Sequence, residues 1–163
     1  DSLKIEGRMK TALYVATVAR TYRKALDDLE KGREVYEQNL PWYEQQITGC
    51  TYRRFTTGFF YGKPDENSQI YDSNTYEKDY VYLGIAGQPD AAGVFDLEQR
   101  NKFSVGETIE IMKPDGRNIE VTVEHIQDLE GNEQESAPHA KQALKVKLSS
   151  APEAMDILRR KDF

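Results

Sequence analysis

The fold of this chain is decided by residues 108–123, which read TIEIMKPDGRNIEVTV. On both sides of the central KPDGR, apolar and polar residues alternate, which is typical of strands with one buried face. Within it, Pro114 presets its own backbone dihedral and Gly116 accepts a positive φ, so residues 113–117 predict a hairpin turn. The stretch therefore predicts two neighbouring strands joined by a tight turn.

Further short strands surround this hairpin, and turn residues such as those at 88–93 and 130–132 separate them. The segment 80–86 is apolar on both faces, which favours a central strand. In the segment 142–148, Leu144, Val146 and Leu148 are expected to point inward and the intervening lysines outward. Six short strands at this spacing predict a small closed β-barrel, with strands at 80–86, 94–98, 108–112, 119–124, 142–148 and 155–158.

The amino-terminal part is helical instead, so the fold class is α+β. One long helix ending near Gly32 is predicted by an apolar stripe at spacings of three and four: Met9, Ala12, Leu13, Ala16, Ala19, Tyr22, Leu26 and Leu29. Nothing in the neighbouring sequence is available to bury this stripe. Residues 39–42 predict the start of a second helix, because Pro41 suits a first helical turn. The alternation at 3–7 predicts the end of a strand.

The composition describes a globular chain of 163 residues, enough for one ordinary domain or two small ones. The sequence has no apolar run of roughly 18 residues, and its first ten residues carry five charges and no apolar block. Neither a membrane helix nor a secretory signal is therefore predicted, and we expect a cytoplasmic protein. A single cysteine, Cys50, excludes an internal disulfide and any multi-cysteine metal site built by this chain alone. We expect its thiol to be buried and idle.

Charge and aromatic residues are unevenly distributed. The net charge of -6 disfavours broad contact with phosphate backbones. Up to Lys63 there are 11 basic and 8 acidic residues, whereas 11 basic and 20 acidic residues follow, and all ten tyrosines fall between Tyr14 and Tyr82. This asymmetry predicts two parts, residues 1–78 and residues 79–163.

Several longer motifs of the chain resemble one known protein family. The run DSLKIEGRMK at 1–10, with YVA at 14–16 and YRKA at 22–25, resembles the end of the catalytic domain of the U32 peptidase family. Further similarities, in the family's order, are FTTGF at 55–59, EQRNKF at 98–103 and APH at 137–139. The stretch FSVGE at 103–107 is similar to a turn common in barrels of the elongation-factor-Tu domain II type.

The resemblance implies a carboxyl-terminal piece of a longer protein. Residues 1–78 would be the end of a TIM-like catalytic domain plus a helical linker, and residues 79–163 a six-stranded barrel of the elongation-factor-Tu domain II type. Family members are named as proteases, including collagenase-like ones, or act in hydroxylating tRNA or ribosomal RNA. We therefore expect an accessory region of a U32 family peptidase, inactive alone, that binds or presents a macromolecular substrate, a protein in the first hypothesis, to the upstream catalytic domain. The alternatives are an RNA-binding module and a barrel that mediates self-association into a homo-oligomer.

The resemblance also bears on cofactors. RNA-hydroxylating members resemble iron–sulfur proteins, with a cysteine cluster in the upstream domain. Cys50 is alone and lies outside that cluster, so we expect no cofactor in this chain. His125 and His139 lack a clear third partner and are a weak metal signal, so no metal site is expected. We expect His125, in phase with Val121 and Val123, to be a hydrogen-bonded residue at the barrel edge.

Three groups of residues are candidates for function. Lys4, Glu6 and Arg8 would lie at the mouth of the TIM-like barrel, where such a group could orient an anionic substrate or RNA phosphate. A structural ion-pair network explains the group equally well. The second group, in a stretch that also holds Phe55, Phe59, Phe60 and Tyr61, resembles a nucleic-acid surface; it comprises Arg53, Arg54, Thr56 and Thr57.

For this aromatic stretch we favour packing of the rings against the barrel over contact with RNA, because aromatic side chains in small proteins usually pack. The third group is the polar turn Arg100, Asn101 and Lys102, which could contact RNA. A solvated hairpin tip explains this turn almost as well.

Overall fold

Three helices precede a six-stranded antiparallel sheet in the computed structural model, which describes residues 2–50, 59–63 and 79–162. The helices are α1 (Ala12–Lys31), α2 (Arg33–Gln38) and α3 (Leu40–Thr48). The strands are β1 (Tyr80–Ile85), β2 (Val94–Glu98), β3 (Thr108–Met112), β4 (Asn118–Gln127), β5 (Ala143–Leu148) and β6 (Ile157–Lys161).

The six predicted strands are all present, and the hairpin that the opening motif predicts joins β3 to β4. Its turn is closed by a 2.9 Å hydrogen bond from the Lys113 N–H to the Arg117 carbonyl, with Gly116 at a φ of +97°. The strand order is β1-β6-β3-β4-β5-β2. The end strands β1 and β2 share one isolated bridge, Ala86 with Leu97, so ladder hydrogen bonds do not close the sheet.

The prediction that β1 is a central strand is wrong, because β1 forms a ladder with β6 alone. Its apolar character on both faces has another cause. Leu83 points into the core of the sheet, whereas Tyr80, Tyr82 and Ile85 pack beside Leu13 of α1 on the outer face. Cover of the outer face by α1, and not a second neighbouring strand, therefore explains why β1 is apolar on both faces.

The core lies on the inner face of the sheet, and every strand contributes to it. The prediction for β5 is confirmed, since Leu144 and Val146 are fully buried and Leu148 nearly so. Strand β3 is buried on both faces, because Ile109 and Ile111 point into the core while Met112 packs against α1. Among the described residues, only apolar side chains from 81–158 build this core cluster.

Helix α1 ends as predicted at Gly32 but begins at Ala12, where the Thr11 hydroxyl accepts a hydrogen bond from the Tyr14 N–H. Its buried face differs from the prediction. Tyr22, Leu26 and Leu29 of the predicted stripe are exposed, and the side facing the rest of the chain is largely polar: Leu13, Thr17, Val18, Arg20, Thr21 and Asp28. The physical reason is that this side meets backbone carbonyls of the β3–β4 turn, which accept hydrogen bonds.

Two further predictions are corrected. Residues 3–7 form no strand, since a strand needs a neighbour for its backbone hydrogen bonds and none of the described residues pairs with them. His125 is out of phase with Val123 because a register shift between these residues marks a β-bulge, which turns His125 outward and places Ile126 in the core. The helix predicted to start at residues 39–42 is α3, which begins at Leu40. The six-residue α2 is not predicted, because it carries no recognisable apolar pattern.

Candidate functional site

The first candidate group, Lys4, Glu6 and Arg8, lies in an extended, exposed segment before α1. The Lys4 ammonium and the Glu6 carboxylate lie 3.9 Å apart. The Arg8 backbone N–H donates to Glu6 at 3.3 Å. All three residues are exposed, so their pairing is weak and solvent-screened. By themselves they form no enclosed site.

The second candidate group, Arg53, Arg54, Thr56 and Thr57, lies outside the described residues, as does Phe55. The aromatic residues that follow are described, and they do not pack against the sheet. Phe59, Phe60 and Tyr61 are 78%, 82% and 84% exposed. Phe60 and Tyr61 contact each other edge to face, with ring centroids 5.1 Å apart. The favoured anchoring role is therefore wrong for these three rings, which present their faces to solvent.

The third candidate group, Arg100, Asn101 and Lys102, follows β2 and is fastened to β1. The Arg100 N–H donates to the Leu83 carbonyl at 2.9 Å, and the Asn101 amide donates to the Tyr82 carbonyl at 2.7 Å. The Arg100 guanidinium pairs with Glu98 at 2.8 Å. Two members of the group thus serve the structure of the loop, and the charge of Arg100 is offset by a carboxylate.

A buried arginine at the junction of helices and sheet escaped the sequence reasoning. The Arg20 guanidinium donates to Gln46 of α3 at 2.5 Å, to Asn118 of β4 at 3.0 Å and to the Lys113 carbonyl at 2.9 Å. The Trp42 ring lies 5.7 Å from it. The signal that could have found Arg20 is its helical phase, since it lies seven residues after the buried Leu13.

A second buried arginine lies beneath this junction. Arg159 of β6 pairs with Glu110 of β3 at 2.8 Å, and its guanidinium stacks 3.7 Å from the centre of the Tyr80 ring. Burial, and next the positive charge of Arg159, lower the pKa of Arg20 to about 10, so the Arg20 guanidinium stays charged at neutral pH. The hydrogen bonds of Arg20 to the β3–β4 turn and to Gln46 of α3 hold the helices on the outer face of the sheet, whereas Arg159 pairs within the sheet.

Asp28 of α1 is the centre of a further buried cluster. Its carboxylate accepts hydrogen bonds from Lys24 at 2.9 Å, Lys31 at 3.0 Å, Asn39 at 3.0 Å and the Tyr43 hydroxyl at 2.8 Å. The hydrogen bond from Lys24 leads the effects that hold the pKa of Asp28 well below its usual range, against the opposing effect of burial. Burial, with Asp28 next, raises the pKa of Tyr43 to about 12. The cluster joins α1 to α3 and to Asn39, which lies between α2 and α3.

Lys113, in the β3–β4 turn, pairs with Asp156 at 2.6 Å and with Glu153 at 3.2 Å. Burial lowers its pKa, but the hydrogen bonds to Asp156 and Glu153 outweigh burial and raise it. Lys113 therefore stays an ammonium group that fastens the loop before β6, which excludes it as a general base at neutral pH.

Cys50 is buried at the end of α3, as predicted, and burial raises the pKa of its thiol. A neutral buried thiol is a poor nucleophile and a poor ligand. Within the described ranges, no three side chains of His, Cys, Asp or Glu lie close enough together to hold a metal ion. An iron–sulfur cluster held by four thiolates does not fit a chain with one cysteine.

What this arrangement offers chemically is binding. The buried charged clusters bond within the molecule, although the buried Nε of Arg20 has no hydrogen-bond partner among the described residues. Large exposed apolar or aromatic side chains lie on α1 and at residues 59–61. No helix within the described parts of the chain is long and apolar enough to cross a membrane.

Comparison with known proteins gives two matches to family models. The model of Peptidase family U32 matches residues 1–70, and the model of the Peptidase family U32 C-terminal domain matches residues 78–159. A solved structure of the C-terminal domain of a Geobacillus thermoleovorans protein described as a U32 peptidase is 29% identical, with a TM-score of 0.45. That match covers 50% of this chain and 92% of the solved one.

Three curated relatives are informative. The tRNA hydroxylation protein P1 of Bacillus subtilis is 35% identical over 98% of this chain and 38% of its own length. The tRNA hydroxylation protein P of Escherichia coli is 33% identical over 84% of this chain and 29% of its own. An uncharacterized protease of Methanocaldococcus jannaschii is 26% identical over 78% of this chain and 32% of its own. The chain thus spans about a third of the length of these relatives, and it belongs to peptidase family U32.

Proposed function

We propose that this chain is the RNA-contacting, carboxyl-terminal part of a tRNA hydroxylation protein. The observation that carries the proposal is the run of three exposed aromatic rings at Phe59, Phe60 and Tyr61. Exposed rings cost free energy in water and are typical of surfaces on which unpaired bases stack. The 35% identity to a tRNA hydroxylation protein over nearly the whole chain supports the same reading.

The distribution of charge along the chain supports contact of RNA with its amino-terminal, helical part. Residues 1–63 carry an excess of three positive charges, whereas the remainder carries an excess of nine negative ones. We infer that Arg53 and Arg54, with Thr56 and Thr57, contact phosphates beside the stacked bases. The turn of Arg100, Asn101 and Lys102 contributes less, because Arg100 already pairs with Glu98.

The chemical step is proposed to belong to the part of the polypeptide that the longer relatives carry and this chain does not. An iron–sulfur cluster, if the protein uses one, takes its cysteines from that part, since Cys50 is single and buried. Lys4, Glu6 and Arg8 would face the substrate only beside groups from that part. The role of this chain is then to hold the RNA.

We also propose that the sheet curls into a barrel of the elongation-factor-Tu domain II type. Support comes from the single core that all six strands share, and from the contact of the end strands at Ala86 and Leu97. Hydrogen bonds beside this bridge, from Gly87 to Asp96 and from Arg100 to Leu83, bring the two edges together.

The test is binding of unmodified tRNA by the chain, followed by fluorescence anisotropy at low and moderate salt. We expect affinity to fall as salt rises, because phosphate contacts release counterions. Replacing Phe59, Phe60 and Tyr61 by alanine should weaken binding by about tenfold or more, since stacking contributes ~1–3 kcal/mol per base. Leu129→Ala, which truncates an exposed side chain in the turn after β4, is the matched control and should bind like the parent. Equal affinities for all three proteins would refute the proposal.

A second candidate function is presentation of a protein substrate to a peptidase, which the Methanocaldococcus jannaschii relative favours by its description. Casein and gelatin are suitable probes for the longer polypeptide. Cleavage that survives loss of the three aromatic rings, together with absence of tRNA binding, would favour this candidate over the first.

A further inference from the structure

Helix α1 faces the rest of the chain with its polar side and solvent with its apolar side. Four apolar side chains lie exposed on the solvent side of α1: Val15, Tyr22, Leu26 and Leu29, of which Leu29 is 50% exposed. Steps of seven, four and three residues place them on one face over about 21 Å of helix. The opposite side carries Arg20 and Asp28, which are buried. A surface helix normally buries its apolar side and exposes its polar side, whereas α1 does the opposite.

Further apolar residues lie beside these four side chains of α1. Next to Tyr22, a groove of about 290 Å³ separates α1 from α3, with Leu40, Tyr43 and Ile47 among its lining residues. At the other end, Gly7 approaches Val15 so closely that a Cβ on Gly7 would lie 2.8 Å from its side chain. The exposed Leu3 and Ile5 precede that contact. The four residues on α1 and the groove beside Tyr22 form one apolar surface, the α1 face, and Leu3 and Ile5 precede it in the chain.

Exposed apolar side chains are concentrated in this part of the molecule. Among the described residues, eight of the fourteen large exposed apolar side chains lie between Leu3 and Leu40, whereas only Val105, Leu129 and Met155 lie between residues 79 and 162. The sheet therefore completes its own core, and the helical part does not. A contiguous apolar surface of this kind marks an interface.

We propose that the α1 face is covered by the preceding portion of the same polypeptide, packed through an apolar surface of its own. The length of the relatives points to this occupant. The Bacillus subtilis relative aligns with 98% of this chain but over 38% of its own length, so most of it has no counterpart here. The α1 face also lies within residues 1–70, which the main U32 family model matches, and outside the C-terminal domain model.

The proposal rests on family membership and on the division of labour proposed above, but not on RNA binding. Its surface is also distinct from the three aromatic rings at 59–61. Covering the α1 face would leave Arg20 and the helix–sheet junction untouched, because they lie on the opposite side of α1. The preceding portion would thus sit on α1 while the sheet stays attached beneath it.

The test compares this chain with the longer gene product that contains it, without RNA. Hydrogen exchange of the α1 amides should slow by at least tenfold in the longer polypeptide. The double variant Leu26→Lys, Leu29→Lys should lower the melting temperature of the longer polypeptide by about 5 °C or more and leave this chain within about 1 °C. The control Leu129→Lys, at an exposed site in the turn after β4, should change neither.

Three outcomes would overturn the proposal. The first is unchanged α1 exchange in the longer polypeptide, or a gene product that begins at Asp1. The second is a dimer of this chain, detected by light scattering and dissolved by the double variant, which would assign the face to a second copy. The third is an equal loss of stability in both lengths of protein. Because RNA is absent, failure here leaves the tRNA proposal to its own test.

Discussion

Asp28 shows how a single buried carboxylate organises the helical part of the molecule. Its carboxylate accepts hydrogen bonds from its own helix, from Asn39 between α2 and α3, and from Tyr43 of α3. Four donors around a carboxylate replace its lost hydration and favour the charged form. The geometry of α1, α2 and α3 is thus coupled to one charge.

Replacing Asp28 by asparagine should lower the free energy of unfolding by about 2 kcal/mol or more at neutral pH, because buried donors lose their charged acceptor. The pKa of Asp28 is lower in the folded state, so its contribution is complete above the unfolded value of about 4 and is lost as pH falls toward the folded value. Urea titrations from about pH 7 to pH 3 should therefore show the difference between the two proteins shrinking.

The matched control is Asp27→Asn on the same helix, where an exposed carboxylate pairs with Arg23. An exposed pair contributes little, so this variant should unfold almost like the parent. Similar losses from the two substitutions would mean that burial of Asp28 does not matter to stability.

At the scale of elements, the β3–β4 hairpin is the part of the sheet that receives the helices. Gly116 at its tip leaves room for the Trp42 ring, since a Cβ there would lie 3.3 Å from the ring and 3.0 Å from Lys24. Together with the Arg20 hydrogen bonds to the turn, this contact positions α1 and α3.

Gly116→Ala should destabilise the chain by about 1–3 kcal/mol, because alanine meets both a positive φ and the Trp42 ring. Trp42 is the single tryptophan, so its fluorescence reports this contact directly, and we expect its emission to shift to the red. Gly131→Ala is the control: its φ is +89° but nothing lies within 4 Å of the added Cβ. It should cost about 1 kcal/mol without moving the emission. Identical spectra for the two variants would contradict docking of Trp42 on the hairpin.

Elements whose pattern repeats within a few residues could be predicted from the sequence. Strands β2 and β3 match their predicted bounds, since alternation and turn residues are local signals. The buried side of α1 could not be predicted, because it depends on carbonyls nearly a hundred residues away that accept from Arg20. The bulge that turns His125 outward depends on pairing with β5, which is distant in sequence. The cover of the outer face of β1 likewise depends on α1, which lies far before it in the chain.

The candidate site was less predictable than the fold. Residues with charge or aromatic character stand out in a sequence, but whether they are used internally depends on tertiary contacts. Asn101 donates to a backbone carbonyl of β1, whereas Phe59 and Phe60 remain in solvent. Neither outcome follows from the local sequence.

For the whole molecule, the distribution of buried apolar residues predicts unequal independence of its two parts. The core cluster draws on residues between Val81 and Leu158 alone, while the helical part contributes few buried apolar residues, including Leu13, Val18 and Tyr43. Helices without a packed core are marginal in water. The division at residues 78 and 79 therefore predicts one part that folds alone and one that does not.

Residues 79–163 expressed alone should fold and unfold cooperatively in urea, with a lower midpoint than the full chain, because removing α1 uncovers Met112 and Ile157. Residues 1–78 alone should show weak helicity and no cooperative transition, since the acceptors of Arg20 in the hairpin are missing. Circular dichroism during urea titration measures both. A cooperative transition in residues 1–78, or an unfolded 79–163, would place the boundary elsewhere and make the Arg20 junction part of one indivisible core.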